Sequence, residues 1–183
     1  MIINHFYSDP HWGHTNIIKY SSRPFSNIAE MDAELIRRYN ECVQPHEVVL
    51  WCGDCTYYSP SKFAGILEQL NGSKLLVRGN HDKPASTMAQ IGFDFVVDEL
   101  TIYIGGRTCT VNHFPYAGTE HHRGGKDDRY LDRRPKRRKG EVIIHGHTHS
   151  PKRRDGNMIH VGIDAWDYRP ASMVEVEALV AAV

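Results

Sequence analysis

The chain has no net charge and no long apolar run. Its 22 Lys and Arg balance 22 Asp and Glu over 183 residues. No stretch approaches the roughly 18 apolar residues of a membrane span. The opening Met-Ile-Ile-Asn-His lacks a basic region followed by an apolar one, so no export signal is expected, and a cytoplasmic location is. Cysteine is sparse. Cys42, Cys52, Cys55 and Cys109 are the whole set, too few for a disulfide framework and expected as reduced thiols. With 40% hydrophobic and 24% charged residues, 15 Gly and 9 Pro, the collagen-like and disordered classes are excluded. A chain this long buries roughly 70% of its unfolded surface. One domain over 1–183 is expected, with a basic loop insertion at about 116–140.

What the sequence has in excess is histidine, 12 residues in all. Histidine is the commonest metal ligand and titrates near neutrality. Charge is also unevenly spread. The stretch from Arg123 to Arg154 holds 12 of the 22 basic residues against Asp127, Asp128, Asp132 and Glu141. Such a cluster is usually a solvated face, but it can attract a polyanion.

Short apolar runs alternate with amphipathic segments. Strands are predicted at 2–8, 48–52, 74–78, 95–104, 108–112, 142–145, 158–163 and 173–176. Met31, Leu35, Tyr39 and Val43 recur every four residues and give one helical face. Phe63, Ile66, Leu67 and Leu70 give another, with Ser59 as N-cap and Pro60 in the first turn. Gly105-Gly106 between two strands predicts a hairpin. The pattern points to an α/β sandwich with a mixed sheet, or two stacked sheets with helices outside.

The polar residues at the strand ends carry the chemistry. Asp9-Pro10-His11 follows the first strand, Gly53-Asp54 the second and Gly79-Asn80-His81-Asp82 the third. His113 and Gly146-His147-Thr148-His149 each follow a later one. Ligands of open α/β sheets bind outside the carboxyl ends of strands, so these loops can converge. Asp9, His11, Asp54, Asn80, His113, His147 and His149 are too many donors for one tetrahedral zinc. Two divalent ions sharing a carboxylate fit better, and the donor mix suits manganese, iron or zinc. Two ions roughly 3.5–4 Å apart suit in-line displacement at phosphorus by a bridging water that has lost a proton.

Asp-x-His, Gly-Asp, Gly-Asn-His-Asp, His and Gly-His-x-His, in that order from Ser8 to His149, resemble the motifs of the calcineurin-like metallophosphoesterases. The resemblance implies a four-layer αββα sandwich of two mixed β-sheets flanked by helices. It implies that Asp9, His11, Asp54 and His149 hold one metal, with Asp54 bridging, and that Asn80, His113 and His147 complete the second. It further implies that His81 contacts the phosphate and protonates the leaving alkoxide, with Asp82 orienting it. General acid help of this kind is worth about 10²–10⁴-fold.

Each block alone has a plain reading: a turn after a strand, a polar loop with Asx turns, an exposed strand face. The conjunction of five in order overrides these. Cys52-Gly53-Asp54-Cys55 has redox-like spacing, but one pair with Asp54 already committed reads as packing. His14 is expected as a substrate contact, with Tyr116 to stack on a base and Arg123 to meet phosphate. His145 is expected inside the core or behind the ligands, and His5, His46 and His160 as structural.

The function expected is a dinuclear-metal phosphodiesterase acting on a nucleotide or nucleic-acid phosphodiester, with manganese as the expected metal. The alternatives are a phosphomonoesterase or protein phosphatase, and a non-catalytic metal-binding scaffold or RNA-binding module. Retention of His81 and of every expected ligand argues against the last.

Overall fold

Phe6 and Tyr7 are neighbours in the sequence, yet they belong to two different cores. Successive side chains of a strand point to opposite faces, so an apolar pair in a strand asks for burial on both sides. The computed structural model, which describes residues 2–117, 130–138 and 140–183, provides it. β1 (His5–Tyr7), β2 (Val48–Trp51), β3 (Ser73–Val77) and β4 (Phe95–Val97) run parallel. β5 (Glu99–Ile104), β6 (Arg107–Asn112), β7 (Val142–His145), β8 (Arg154–Asp155) and β9 (Met158–His160) form a second sheet in the order β5-β6-β7-β9-β8. Its three central strands, β6, β7 and β9, are parallel. β10 (Ala171–Ser172) adds antiparallel to β1.

Phe6, Leu50, Leu75 and Val77 of the first sheet share a core with Val111, Val142, Ile144 and Ile159 of the second. Tyr7, Val49, Trp51 and Leu76 face the other way. Helices cover that side: the single turn α1 (Ile17–Tyr20), then α2 (Ile28–Cys42), α3 (Pro60–Leu67) and α4 (Ala85–Ile91). They contribute Met31, Leu35, Phe63, Ile66 and Met88 to the same cluster. The α2 face expected from its four-residue spacing is the buried one, and Asn27 caps the helix by accepting from the Glu30 amide at 3.0 Å. Ser59 and Pro60 begin α3 as expected. Two mixed sheets flanked by helices make the αββα sandwich. Among the described residues, no helix is long and apolar enough to cross a membrane.

Two elements differ from the sequence reading. The run 95–104 is divided between the sheets, β4 ending at Val97 and β5 starting at Glu99. Asp98 turns out between them, and its carboxylate accepts from Arg78 Nη2 at 2.6 Å. Residues 173–176 are no strand but the start of α5 (Met173–Ala181). The alternation Met-Val-Glu-Val misleads there, whereas Ser172 and Glu175 form a reciprocal capping box that starts a helix. Val176 and Val180, one turn apart, then enter the inter-sheet core.

The parallel strands of both sheets bring their carboxyl ends to one edge. A parallel bridge between Ser8 and Gly162 stitches the sheets there, and Ile163 donates its N–H to the Ser8 carbonyl at 3.0 Å.

Ser172→Ala removes half of the capping box. The expected loss is about 1 kcal/mol, seen as a fall of roughly 2–4 °C in the thermal midpoint for a chain of this size. An unchanged midpoint would mean that burial of Val176 and Val180 alone holds α5.

Candidate metal centre

The loops after β1, β2, β3, β6 and β7 meet at that edge and bring together all seven expected ligands. His11 Nε2 faces His149 Nε2 at 3.2 Å. His113 Nε2 lies 3.1 Å from both Asn80 Oδ1 and His147 Nδ1. One ligand atom from each of Asp9, His11 and His149 falls within 4.8 Å of the others, as does one from each of Asp54, His113 and His147. Asp54 spans the two groups, with Oδ2 at 3.7 Å from His11 Nε2 and Oδ1 at 3.4 Å from His113 Nε2.

The backbone at these positions is unusual. Asp9, His11, Asp54, His147 and His149 have φ of 58°, 51°, 54°, 70° and 51°. This left-handed region costs a non-glycine residue roughly 1–2 kcal/mol, and such strain concentrates at functional sites. Glycine supplies the room. A Cβ on Gly79 would collide with Asp54 Oδ1, and one on Gly146 with Asp9 Oδ2.

The donor set fits a pair of cations. His113 Nδ1–H donates to the Cys52 carbonyl at 2.7 Å, so Nε2 is the nitrogen turned to the centre. There it meets an amide oxygen, an imidazole nitrogen and a carboxylate oxygen, acceptors crowded on acceptors. A proton or a cation must sit among them. Burial disfavours the proton on His113, but the Asp54 carboxylate outweighs burial and lifts this imidazole to about 9. His147 cannot share it: burial and the neighbouring His113 drive it down to about 2. Asp54 is itself held below the usual carboxylate range, its burial overcome chiefly by His113.

Two residues that the sequence reading missed support the other half. His149 Nδ1–H donates to Asp164 Oδ2 at 2.8 Å, which leaves Nε2 as its ligand atom. Arg23 grips Asp164 through Nε and Nη2 at 2.9 and 3.0 Å, and donates to the carbonyls of Pro10 and Asp9 at 2.9 and 2.7 Å. The Arg23 side chain is fully buried. Asp164 was findable, because it directly follows the predicted strand 158–163, although the fold ends β9 at His160 and puts Asp164 in a 3-10 turn, Ile163–Ala165. Arg23, alone in Ser-Ser-Arg-Pro, carried no signal.

His81 stands at the mouth, its side chain 42% exposed and Nε2 3.9 Å from Asp54 Oδ2. Asp82 does not orient it. The Asp82 carboxylate is spent on the backbone N–H groups of Asp54, Cys55 and Gly79, at 3.0, 2.8 and 2.7 Å. The contact to the His81 ring comes from Tyr57 instead. His14 also lies at the mouth, stacked on Tyr57 at 4.0 Å. Tyr116 is not available to a substrate: it is buried against Ile143 and Met158 on the outer face of the second sheet. Arg123 lies outside the described residues. Of the basic segment, Arg133 reaches the site, with Nη2 3.5 Å from the Gly79 carbonyl. Tyr130 lies 6.2 Å from the His147 ring. Cys52 and Cys55 are buried free thiols. His145 is buried and donates to the Gly146 carbonyl at 2.8 Å, and His5 pairs with Glu47 at 3.0 Å.

Comparison with known proteins agrees with this geometry. A family model described as the calcineurin-like phosphoesterase superfamily domain matches residues 6–162. An uncharacterized protein of Methanocaldococcus jannaschii is 34% identical over 149 residues, 79% of this chain and 82% of its own length. The Gene 66 protein of Mycobacterium phage L5 is 32% identical over 203 residues, covering 96% of this chain and 92% of its own. A solved structure of a protein of unknown function from Aquifex aeolicus superposes with a TM-score of 0.71 at 25% identity, over 96% of this chain and 97% of that one.

Two outcomes follow for metal binding. His113 is lifted from 6.5 to about 9, so its contribution to the stability of the metal-free fold is full below 6.5 and lost as pH rises through 9. A metal competes with that same proton. Manganese affinity, measured by calorimetry, is therefore expected to climb between pH 6.5 and 9 with proton release; a flat profile would contradict the His113 assignment. Asp164→Asn, which weakens the support of His149, should reduce affinity at one of two sites by about 10–100-fold and leave the other.

Proposed function

The chain belongs to the calcineurin-like phosphoesterase superfamily, and from that premise we propose that it is a phosphodiesterase acting on a nucleotide or nucleic-acid phosphodiester. Two divalent ions, manganese in this reading, supply the charge that polarises the phosphate and makes water a nucleophile at neutral pH. Asp9, His11, Asp54 and His149 would hold one, and Asn80, His113 and His147, again with Asp54, the other.

The remaining work falls to the chain's own residues. His81 is the general acid, giving a proton to the leaving alkoxide. The observation that carries this reading is its placement, half-exposed at the mouth with Nε2 turned towards Asp54 at 3.9 Å. A leaving oxygen between His81 and the centre lies within reach of that nitrogen. Asp82 shapes the loop beneath by tying down the amides on which Asp54 and Gly79 sit.

Preference for a diester is supported by the two walls. Tyr57, with His14 stacked on it, borders His81 on one side. Tyr130 packs on Phe114 at 5.3 Å and borders His147 on the other. A phosphodiester carries two organic groups, and an aromatic wall stands on each side to receive them. Arg133, whose guanidinium lies 5.2 Å over Phe114, adds a positive charge that suits a polyanionic substrate.

Hydrolysis of bis-p-nitrophenyl phosphate and p-nitrophenyl phosphate with added manganese tests this. The diester is expected to be preferred, and His81→Ala to lower kcat on it by at least about 10-fold. Preference for the monoester would move the assignment to a phosphomonoesterase. Inactivity on both, with metal demonstrably bound, would leave the scaffold reading.

A further inference from the structure

The second sheet has an outer face that the basic segment crosses from one edge to the other. β6 starts at Arg107 and β7 at Val142, at the edge opposite the metal centre, and both end beside it. Leu100, Ile102 and Ile104 of β5 enter the core between the sheets, so Thr101 and Tyr103, which alternate with them, face outward. Ile143 and Met158 face the same way, beneath Tyr116.

Three contacts mark the course of the segment. At the centre, Arg133 Nη2 lies 3.5 Å from the Gly79 carbonyl. Farther along, the Arg137 guanidinium stands 5.4 Å over the Tyr116 ring. At the opposite edge, Arg138 lines a surface hollow with Gly106, Arg107, Thr108 and Glu141. Residues 135–138 form neither helix nor strand, and Pro135 disfavours helix at Arg134 before it. Arg133 is half-buried, and Lys136 and Arg137 are exposed. Among the described residues none of these three has a carboxylate within ion-pair distance, whereas Arg138 shares Glu141 at 3.5 Å. Aromatic rings stand at both ends. Tyr130 is 38% exposed beside His147, and Tyr103 is 74% exposed opposite Thr108 of the hollow.

We propose that the outer face of the second sheet is a track for a single-stranded polynucleotide, leading from Tyr103 and Arg138 past Arg137 and Lys136 to Arg133 at the metal centre. That the bound strand is also the substrate rests on the phosphodiesterase reading. Spaced, unpaired cations suit a chain of phosphates. Exposed rings offer bases a surface to stack on, and only unpaired bases present their faces. A mononucleotide would meet the Arg133 end alone and leave the rest of the row unused. The length of the face sets the length of strand. β6 has six residues, which at roughly 3.3 Å each is about 20 Å. A stacked strand advances about 3.4 Å per nucleotide, so the track takes about six.

Fluorescence anisotropy with the full-length, manganese-loaded protein tests this, using end-labelled single strands from about 2 to about 12 nucleotides. Phosphorothioate linkages keep the charge and resist hydrolysis. Affinity is expected to rise at least about 10-fold from the dinucleotide to the hexanucleotide and to level off beyond it. Either a DNA or an RNA series that behaves so supports the track. Lys136→Ala with Arg137→Ala removes two phosphate contacts, so the slope of log affinity against log salt should shrink by about 1.4. Tyr103→Ala should weaken the hexanucleotide at least about 5-fold and leave the dinucleotide unchanged, which a misfolded variant would not do. Inorganic polyphosphate of matched charge has no bases and should bind at least about 10-fold more weakly than the hexanucleotide. Affinity independent of strand length, polyphosphate binding as tightly as the hexanucleotide, or an unchanged salt slope would overturn the proposal. Length-dependent binding without hydrolysis of unmodified strands would keep the track and remove the phosphodiesterase reading. Hydrolysis of bis-p-nitrophenyl phosphate with length-independent binding would do the reverse.

Discussion

Asp54, buried, and Asp82, half-buried, set two carboxylates near each other, and the hydrogen bonds that make this tolerable lock the loops after β2 and β3 together. The amides of Asp54, Cys55 and Gly79 converge on Asp82, and the His81 amide returns to Asp54 Oδ1 at 2.9 Å. A buried carboxylate is costly unless its lone pairs are met. The two are met differently. Asp82 has neutral backbone donors, and burial, together with repulsion from Asp54, leaves it above the usual carboxylate range. Asp54 faces imidazoles and is held below it, against its own burial. Asp54, which spans both halves of the centre, is thus the more readily ionised of the two. It also dictates the glycines: Gly53 sits at φ 90°, where a Cβ would meet the Gly79 backbone.

Around this latch the chain spends stability to aim its ligands. Five ligand residues in left-handed backbone represent several kcal/mol at roughly 1–2 each. That conformation persists because regular structure fixes the residues before and after. Asp9 N–H still bonds the Gly53 carbonyl, His11 N–H the Asp54 carbonyl and Gly146 N–H the His113 carbonyl, at 3.1, 3.2 and 3.1 Å. Arg23 works in the same sense from below. Its guanidinium ties the carbonyls of Asp9 and Pro10 to Asp164, so the turn after β1 cannot relax without breaking a buried ion pair.

Much of this was legible in the sequence because strand ends are a topological fact. Apolar runs such as Val48 to Cys52 identify buried parallel strands, and a polar residue just past each of them must lie at the sheet edge. That reasoning picked out the seven expected ligands, which the fold gathers at one edge, and His81 at its mouth. It failed where a residue's partner is distant in sequence. Asp82 reads as a neighbour for His81, yet its carboxylate turns to backbone amides that only the fold brings near. Tyr116 reads as a free aromatic, yet it covers the second sheet against Ile143 and Met158. Tyr57 and Arg23 belong to no motif, since their roles come from packing loops against each other rather than from spacing. The division of 95–104 was hidden for a related reason: an apolar alternation does not say which of two sheets it joins, and only Asp98 marks the break.

The supports behind the two ligand groups are unequal, and this has a chemical consequence. His113 gives its outer N–H to a neutral carbonyl, that of Cys52. His149 gives its own to the Asp164 carboxylate, which Arg23 grips by a two-pronged contact. A carboxylate behind an imidazole makes its other nitrogen a stronger donor than a carbonyl does. The His149 group is also enclosed by the Arg23 network, whereas the His113 group borders Tyr130 and Arg133 of the basic segment. The stronger donor therefore lies on the side braced by buried charge, and the softer support on the side that opens towards the charged rim. On the proposed reading, an ion in the His149 group would be held chiefly by the fold, and one in the His113 group would lie on the side of Tyr130 and Arg133.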